Sequence, residues 1–392
     1  MFEQLELAPA DPILGLTDAF RRDPRPEKVN LGVGAFFDDE GKVPSLQSVR
    51  RAEQILAEND SDRSYLPILG APRYGELVRE LLLGDASGAR AVTAQAPGGT
   101  GALRVAADFI ARHRPGRVWL SDPTWANHGA IFRAAGLETV SYRYYDATSH
   151  GVDIEGALTA LRGAAPGDVV LFHGSCHNPT GCDPDQAGWE ALAALQAERG
   201  FFTLFDVAYQ GFGDGLTEDV QGLRAFVKRG APMFIASSFS KNFSLYNERV
   251  GALTFVGGSE DEALRVASQL KIAVRTNYSN PPRHGAALVT CVLDDAELRR
   301  TWEAEVTGMR ARLKELRGSF VAALKAAGAA RDFEFILGQK GMFSYTGLSA
   351  AEARRLTEDH GVYLVSSGRI NVAGLTSRSL EYVARAVARV VS

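Results

Sequence analysis

Ionisable and polar side chains directly follow short apolar runs in this chain. Asp206 follows the run 201–205, and Lys241 follows the run 233–236 within Ser-Phe-Ser-Lys. Ligands of an open parallel sheet bind beyond the carboxyl ends of its strands, so such residues are expected to meet at one edge. Two further runs deliver an imidazole, an amide and an indole to that edge, namely His173, Asn178 and Trp125. The spacing predicts a reactive site there.

Lys241 and Asp206 are the most informative of these residues. Lysine is normally a solvated surface charge, so a lysine straight after a buried strand is unusual. In a partly dry pocket its pKa falls and its amine can form a Schiff base. Asp206 would be costly as an unpaired buried carboxylate. A helix cap or a structural salt bridge remains the alternative for Asp206 at this point.

A glycine-rich stretch, residues 97–101, leads directly into a helical pattern that begins near Ala102. Free backbone N–H groups and the positive helix end make such a turn a phosphate site. An ordinary turn fits equally well, and so does a nicotinamide-binding fingerprint with Asp122 about 20 residues further on. Against the fingerprint, the three-glycine spacing is incomplete and a proline follows Asp122.

A phosphate cradle, a Schiff-base lysine and an acid for a pyridine nitrogen are together what pyridoxal phosphate requires. Ser238 and Arg249 supply two further phosphate partners near the same edge. A metal site is the alternative for a nearby group of potential ligands, His173, Cys176, His177 and Cys182. Their spacing matches no zinc pattern, so no metal is predicted. Trp125 and Tyr209 fit a packed aromatic core as well as a cofactor site.

The elements that must position these residues alternate along the chain from about residue 92. Helical patterns such as Ala102–Arg112 and Gln186–Arg199 separate short apolar runs, which predicts a mostly parallel sheet with covering helices. The runs are Val118–Leu120, Val169–Phe172, Phe201–Phe205, Met233–Ala236 and Ala252–Val256.

The pattern changes after residue 295. Ala296–Ala330 has the apolar spacing of one long amphipathic helix. The elements predicted after it, before a final helix, are strands Phe333–Leu337 and Met342–Tyr345, helix Ala350–His360 and strand Val362–Val365. This order predicts a second, smaller α+β domain. We expect an N-terminal arm (1–15), a small domain (16–45 with 311–392) and a large domain (46–310).

Composition narrows the functional class. The chain has 392 residues, 45% of them hydrophobic, which excludes disorder for the whole chain. A net charge of −4 gives no general attraction to nucleic acid or anionic lipid. No apolar run approaches the ~18 residues of a membrane span. Three cysteines are too few for a disulfide framework, and no secretory signal is visible. A soluble cytoplasmic protein without nucleic-acid or membrane partners is expected.

Several motifs together resemble the class I aminotransferases, and among them the bacterial aspartate and aromatic-amino-acid branch. They are S-S-F-S-K-N-F-S-L-Y-N-E-R-V-G, N-Y-S-N-P-P, C-H-N-P-T-G, F-D-V-A-Y-Q-G-F and S-G-R-I-N-V-A-G. The resemblance covers nearly the whole chain with the motifs in order. It implies the pyridoxal-phosphate-dependent transferase fold type I, which is an α/β fold. Its large domain has a mostly parallel sheet of the seven-stranded type, and its smaller domain is α+β. It also implies a homodimer with shared active sites.

The resemblance also implies roles at the cofactor. Lys241 would hold pyridoxal phosphate as a Schiff base and move the α-proton, while Asp206 would pair with the pyridinium nitrogen. Tyr65 would reach the phosphate from the neighbouring subunit and is counted with Lys241 and Asp206 as catalytic. His173 would hold Asp206, with His128 extending that contact. The other cofactor-binding residues would be Gly99, Thr100, Trp125, Asn178, Tyr209, Ser238 and Arg249.

For the substrate, the resemblance implies two arginine clamps, since guanidinium matches carboxylate in a planar fork. Arg369 would bind the α-carboxylate, near Gly34, and Arg275 of the other subunit would bind the distal carboxylate of aspartate, glutamate or 2-oxoglutarate. The remaining substrate contacts would be Trp125 and Asn178. Without the flanking motifs, surface or interdomain ion pairs would be the expected role of both arginines.

Substrate preference is mixed in the sequence. Phe37 and Val43 stand where strict aspartate enzymes of the family tend to carry lysine and threonine, and they resemble aromatic-accepting relatives. Thr100 and Asn280 match the aspartate-preferring pattern, whereas Ser64 matches neither. We expect a ping-pong aminotransferase that accepts aspartate and aromatic amino acids with 2-oxoglutarate. The alternatives are a strict aspartate aminotransferase, a nicotinamide-dependent dehydrogenase, and a ligand-sensing domain of a regulator.

Overall fold

The computed structural model describes residues 1–7, 14–59, 62–84 and 88–392. Residues 8–13 of the predicted N-terminal arm lie outside the described residues. The chain divides into two compact units, a smaller one of residues 1–43 with 313–392 and a larger one of residues 44–312. The domain limits given from the sequence stay predictions beside this division.

Helices and strands are numbered in chain order. The helices are α1 Leu14–Arg22, α2 Gln47–Asn59, α3 Pro72–Leu83, α4 Gly98–His113, α5 Asn127–Ala134, α6 Ile154–Leu161, α7 Gln186–Arg199, α8 Gln221–Lys228, α9 Glu260–Asn277, α10 His284–Asp294, α11 Ala296–Ala326, α12 Ala350–His360 and α13 Leu380–Val390. The strands are β1 Val29–Asn30, β2 Ala91–Pro97, β3 Val118–Asp122, β4 Thr139–Arg143, β5 Tyr145–Asp146, β6 Gly151–Val152, β7 Val169–His173, β8 Phe202–Val207, β9 Met233–Ser238, β10 Val250–Val256, β11 Phe343–Tyr345, β12 Val362–Tyr363 and β13 Arg369–Asn371.

The larger unit contains a seven-stranded sheet in the order β2-β10-β9-β8-β7-β3-β4. Strand β10 runs antiparallel to both of its neighbours, and the remaining pairs are parallel. Strands β7, β8 and β9 are buried along their whole length, as expected of central strands covered on both faces. The predicted mostly parallel α/β sheet is therefore confirmed.

The register of the central strands places their carboxyl ends side by side. His173 pairs with Asp206 across β7 and β8, and Asp206 pairs with Ala236 across β8 and β9. The apolar face beneath this edge packs into a continuous core with α4 and α9. The end of β8 and the loop after β9 are thus fixed by a buried scaffold.

The smaller unit has its own core, formed by α12, α13, the C-terminal part of α11 and short strand pairs. Strand β1 pairs in parallel with β12, and β11 pairs antiparallel with β13. The predicted strand Phe333–Leu337 is wrong, because Glu334–Gly338 forms a 3-10 helix. Phe333, directly before this helix, and Ile336 within it are buried, and their spacing of three suits one helical turn rather than a strand.

The long helix α11 ends at Ala326, four residues before the predicted end. Gly328 adopts a left-handed φ of +73°, and the next amide donates back to the Leu324 carbonyl at 3.2 Å. This arrangement closes the helix as a glycine C-terminal cap does.

Among the described residues, no helix is both long enough and apolar enough to cross a membrane.

Candidate active site

Asp206 lies buried near the carboxyl end of β8 and is held by a histidine from α5. Nε2 of His128 lies 3.0 Å from Asp206 Oδ2, and Nδ1 of the same ring lies 2.8 Å from Thr124 Oγ1. A carboxylate only accepts hydrogen bonds, so His128 donates through Nε2. Burial alone would raise the pKa of Asp206, but the bond to His128 and nearby positive charge lower it. Asp206 is therefore an ionised buried acid.

The structure reverses the expected roles of the two histidines. His128 makes the direct contact with Asp206, whereas His173 has no hydrogen-bond partner for either ring nitrogen among the described residues. Burial, reinforced by His128, lowers the pKa of His173 to about 3, so its ring is neutral. His173 lies against His128 with ring centroids 5.1 Å apart. It therefore packs beside the acid instead of holding it.

Lys241 follows β9 in a loop and is partly buried. Its Nζ lies 4.7 Å from the centre of the Tyr209 ring, which brings the predicted amine and phenol together. Burial lowers the pKa of Lys241 to about 8, while the charge of Asp206 raises it and that of Arg249 lowers it. Near neutral pH roughly one molecule in ten thus carries a neutral amine, the form that acts as a nucleophile or base.

A set of hydrogen-bond donors lies at the start of α4. Pro97 precedes the helix and provides no side-chain cap for its first N–H groups. Ser238 Oγ donates to Ser240 Oγ at 3.2 Å, and Arg249 Nη1 donates to the same oxygen at 3.4 Å. A Cβ on Gly98 would lie 2.5 Å from the Arg249 guanidinium. Gly98 also has a left-handed φ of +74°, so glycine is strongly favoured at this position. Ser240 lies with these donors, although sequence reasoning did not select it.

Asn178 is buried in the turn after β7. Asp183 fixes this turn by accepting from the backbone N–H groups of Cys176 at 2.7 Å and His177 at 2.9 Å. Trp125 is half-buried, and its ring lies edge-on to His128 at 5.2 Å between centroids. Both residues therefore lie on loops that extend beyond the same edge of the sheet.

Two of the four residues considered from the sequence as potential metal ligands, His177 and Cys182, contact other groups of the protein. Both ring nitrogens of His177 lie 2.9 Å from hydroxyl oxygens, those of Ser121 and Thr180. The Cys182 thiol faces two backbone carbonyls at 3.5 Å. Within the described residues, the side chains whose potential metal-ligand atoms come together are His128, His173 and Asp206. These atoms all lie within 4.8 Å of one another.

Tyr65 and Arg275 lie on the exposed surface of the larger unit. Tyr65 is 92% exposed. Arg275, in the last turn of α9, donates to Ser279 Oγ, which donates to Asn280 Oδ1 at 2.9 Å. Asn280 Nδ2 then donates at 2.7 Å to the carbonyl of Leu66, the neighbour of Tyr65. These hydrogen bonds connect Arg275 to the backbone next to Tyr65, the other residue that the resemblance assigns to the partner's site.

Arg369 and Gly34 belong to the smaller unit. Arg369 is only 4% exposed, its Nη2 donates to the Gly32 carbonyl at 2.7 Å, and its guanidinium carbon lies 4.1 Å from the centre of the Phe343 ring. A Cβ on Gly34 would lie 3.2 Å from the same ring. In the segment that follows, Phe37 is half-buried and Val43 is 43% exposed. Sequence reasoning did not select Phe343.

A profile of the family described as aminotransferase class I and II matches residues 26–387. The chain is 52% identical to the aspartate aminotransferase of Escherichia coli K12 over the full length of both proteins. It is 46% identical to the aromatic-amino-acid aminotransferase of Pseudomonas aeruginosa, over 99% of this chain and 98% of that one. It also matches the whole structure of an aromatic-amino-acid aminotransferase from Burkholderia pseudomallei, covalently bound to pyridoxal phosphate, with 50% identity and a TM-score of 0.97.

Proposed function

Since this chain belongs to the class I and II aminotransferases, we propose that it moves amino groups between aspartate or aromatic L-amino acids and 2-oxoglutarate by a ping-pong mechanism. One observation carries the proposal. Asp206, an acid kept ionised by His128, lies at the carboxyl end of β8, and Lys241, an amine with a lowered pKa, follows the neighbouring strand β9. The family membership leaves the dehydrogenase and regulator interpretations without support.

Pyridoxal phosphate is the cofactor that these residues fit. A phosphate group needs several donors and positive charge, which the start of α4, Ser238, Ser240 and Arg249 provide. Gly99 keeps this cradle open, because a Cβ there would lie 3.1 Å from Ser238. Thr100, the residue after Gly99, lies in the same first turn of α4. Asp206 would hold a proton on the pyridine nitrogen, and Lys241 would hold the cofactor covalently.

Bound pyridoxal phosphate supplies an electron sink for the negative charge left when an amino acid loses its α-proton. Once the amino group of the substrate has replaced Lys241 on the cofactor, the freed Lys241 Nζ would take that proton from the α-carbon and return it to the cofactor carbon that carries the amino group. Its lowered pKa leaves part of the amine free to accept a proton near neutral pH. The Asn178 amide and the Tyr209 hydroxyl would hold the phenolic oxygen, and Trp125 would stack on the ring.

Arg369 would bind the α-carboxylate that all amino acids share, with Gly34 beside it. Arg275 would bind a distal carboxylate, as in aspartate, glutamate and 2-oxoglutarate. An aromatic ring carries no charge, so it needs apolar walls, which Phe37 and Val43 would supply. Relatives of this chain are named aspartate, tyrosine and aromatic-amino-acid aminotransferases. We therefore favour dual specificity over a strict aspartate enzyme.

We also propose a cytoplasmic homodimer with shared active sites. Tyr65 and Arg275 are exposed on the single chain, although both carry roles in the family resemblance. The hydrogen bonds through Ser279 and Asn280 connect Arg275 to the backbone next to Tyr65, which supports their lying on one surface. A second copy placed on that surface would receive both residues together.

The experiment starts from the purified protein. A yellow chromophore that sodium borohydride bleaches is expected, with the reduced cofactor found on the Lys241 peptide by mass spectrometry. Lys241→Ala should lose transamination, whereas Lys271→Ala, an exposed lysine of the same unit, should retain it. Cofactor reduced onto another lysine would reject the assignment.

Steady-state kinetics with 2-oxoglutarate test the substrate proposal. Measurable turnover of both aspartate and phenylalanine is expected from the wild type. Absence of phenylalanine turnover would leave a strict aspartate aminotransferase as the better conclusion.

A further inference from the structure

Asn371 is a fully buried amide at the end of β13, with 0% of its surface exposed. Its Nδ2 donates to the carbonyls of Val33 at 2.7 Å and Ala35 at 2.6 Å. Its backbone N–H donates to the Leu31 carbonyl at 2.7 Å. The side chain therefore uses both of its N–H bonds on the two carbonyls that flank Gly34.

Arg369 lies two residues earlier on the same strand, so both side chains point to the same face. Its Nη2 donates to the Gly32 carbonyl at 2.7 Å, and the Phe343 ring covers one face of the guanidinium at 4.1 Å. Two side chains of one short strand thus bind three carbonyls in the segment of residues 32–35. The position of this segment and the orientation of the guanidinium are therefore coupled.

We propose that Asn371 is a positioning residue for substrate binding, because its amide fixes the segment around Gly34 and thereby the carbonyl that orients Arg369. This inference rests on the proposed function, in which Arg369 binds the α-carboxylate. A planar fork pairs with a carboxylate only in a narrow range of orientations. A shift of the Gly32 carbonyl would turn the guanidinium away from that orientation, so the carboxylate would bind more weakly.

The amide cannot be replaced by a carboxylate of nearly the same shape. In Asn371→Asp an acceptor would face the carbonyls of Val33 and Ala35, and both would lose their donor. Asn30, in the same stretch of chain, offers a matched control. Its Oδ1 accepts from the Gly32 N–H at 2.9 Å, and the carboxylate of Asn30→Asp keeps this acceptor. The same chemical change is therefore expected to have opposite results at the two positions.

The test compares the wild-type holoenzyme with the two variants. KM and kcat are measured for aspartate and phenylalanine, and binding of 3-phenylpropionate, a carboxylate without an amino group, is measured by calorimetry. Asn371→Asp should raise both KM values by the same factor of about ten or more, as expected for lost buried hydrogen bonds. The 3-phenylpropionate Kd should rise by a similar factor. Changes in kcat should stay within about threefold, since binding common to ground and transition states is lost. For Asn30→Asp each constant should stay within about twofold.

Unchanged KM and Kd values in Asn371→Asp would overturn the proposal, and so would a KM increase for one amino acid alone. A fall in kcat without a change in Kd would also overturn it. If the wild type turns over neither amino acid, the proposed function fails, and the 3-phenylpropionate titration still decides the role of Asn371. Should Asn371→Asp not fold, Asn371→Ser removes both amide donors and leaves space for water, and the same measurements apply.

Discussion

The protonation of Lys241 gives the sharpest quantitative expectation. Burial lowers the pKa of its amine from 10.5 to about 8. The negative charge of Asp206 raises this pKa, and the positive charge of Arg249 lowers it. Removing the negative charge in Asp206→Asn should therefore lower the pKa of Lys241 further. Removing the positive charge in Arg249→Leu should raise it. The pKa of Lys241 should therefore lie below the wild-type value in Asp206→Asn and above it in Arg249→Leu.

The size of the effect follows from the pKa values. At pH 7 an amine with a pKa of about 8 is neutral for roughly one molecule in ten, whereas one at 10.5 is neutral for roughly one in three thousand. The neutral form alone reacts as a nucleophile. The environment of Lys241 therefore increases its reactive fraction about 300-fold at neutral pH.

The assay is competitive acetylation of the apoenzyme between pH 6 and 10. Acetylation of the Lys241 peptide is quantified by mass spectrometry against the peptide of exposed Lys271. Reactivity of Lys241 should rise with a midpoint near 8 in the wild type, lower in Asp206→Asn and higher in Arg249→Leu. A wild-type midpoint near 10 would refute the reasoning. A rise of the midpoint in Asp206→Asn would do the same.

Three other expectations concern catalysis. Asp206→Ala should lower kcat far more than it raises KM, because the acid acts on the chemical step, and near-normal kcat with saturating cofactor would contradict this role. Arg275→Ala should lower kcat/KM for aspartate by roughly a hundredfold to a few thousandfold, because breaking a buried pair of arginine and carboxylate costs about 3–5 kcal/mol. The loss for phenylalanine should be smaller in Arg275→Ala and larger than the loss for aspartate in Phe37→Lys. Equal losses for the two substrates would argue against this division. Co-expressed Lys241→Ala and Arg275→Ala subunits should regain about a quarter of wild-type aspartate turnover, since half of the dimers are hybrids with one intact site; no recovery would speak against shared sites.

Local patterns were enough to predict the sheet and the place of its reactive edge. Buried central strands appear in sequence as continuous apolar runs, and the residue after each run must lie at the carboxyl edge. Asp206 and Lys241 were selected on this ground, and the structure brings them to neighbouring strands. The predicted family and α/β fold are confirmed. The roles of the individual site residues stay predictions.

Features that depend on tertiary contacts could not be read from local patterns. The apolar run at Phe333–Leu337 fits a strand or one helical turn equally, and packing in the smaller core decides for the helix. Sequence order gives no indication of which histidine contacts Asp206, because His128 comes from α5 and His173 from β7. Asn371 could have been found from its spacing of two from Arg369, which places both on one face of a strand.

Asp206 at the end of β8 and Lys241 after β9 need opposite protonation states. In the proposed function, Asp206 must stay ionised to hold a proton on the ring nitrogen of the cofactor, whereas Lys241 must lose its proton to act as nucleophile or base. If Lys241 were the only partner of Asp206, deprotonation of the amine would leave a buried carboxylate uncompensated, which is a costly state. The hydrogen bond from His128, whose ring is fixed in turn by Thr124, gives the carboxylate a partner that does not depend on Lys241. His128 thus allows the amine to gain and lose its proton while the acid keeps its charge, as a reaction that alternates between the two forms of Lys241 requires.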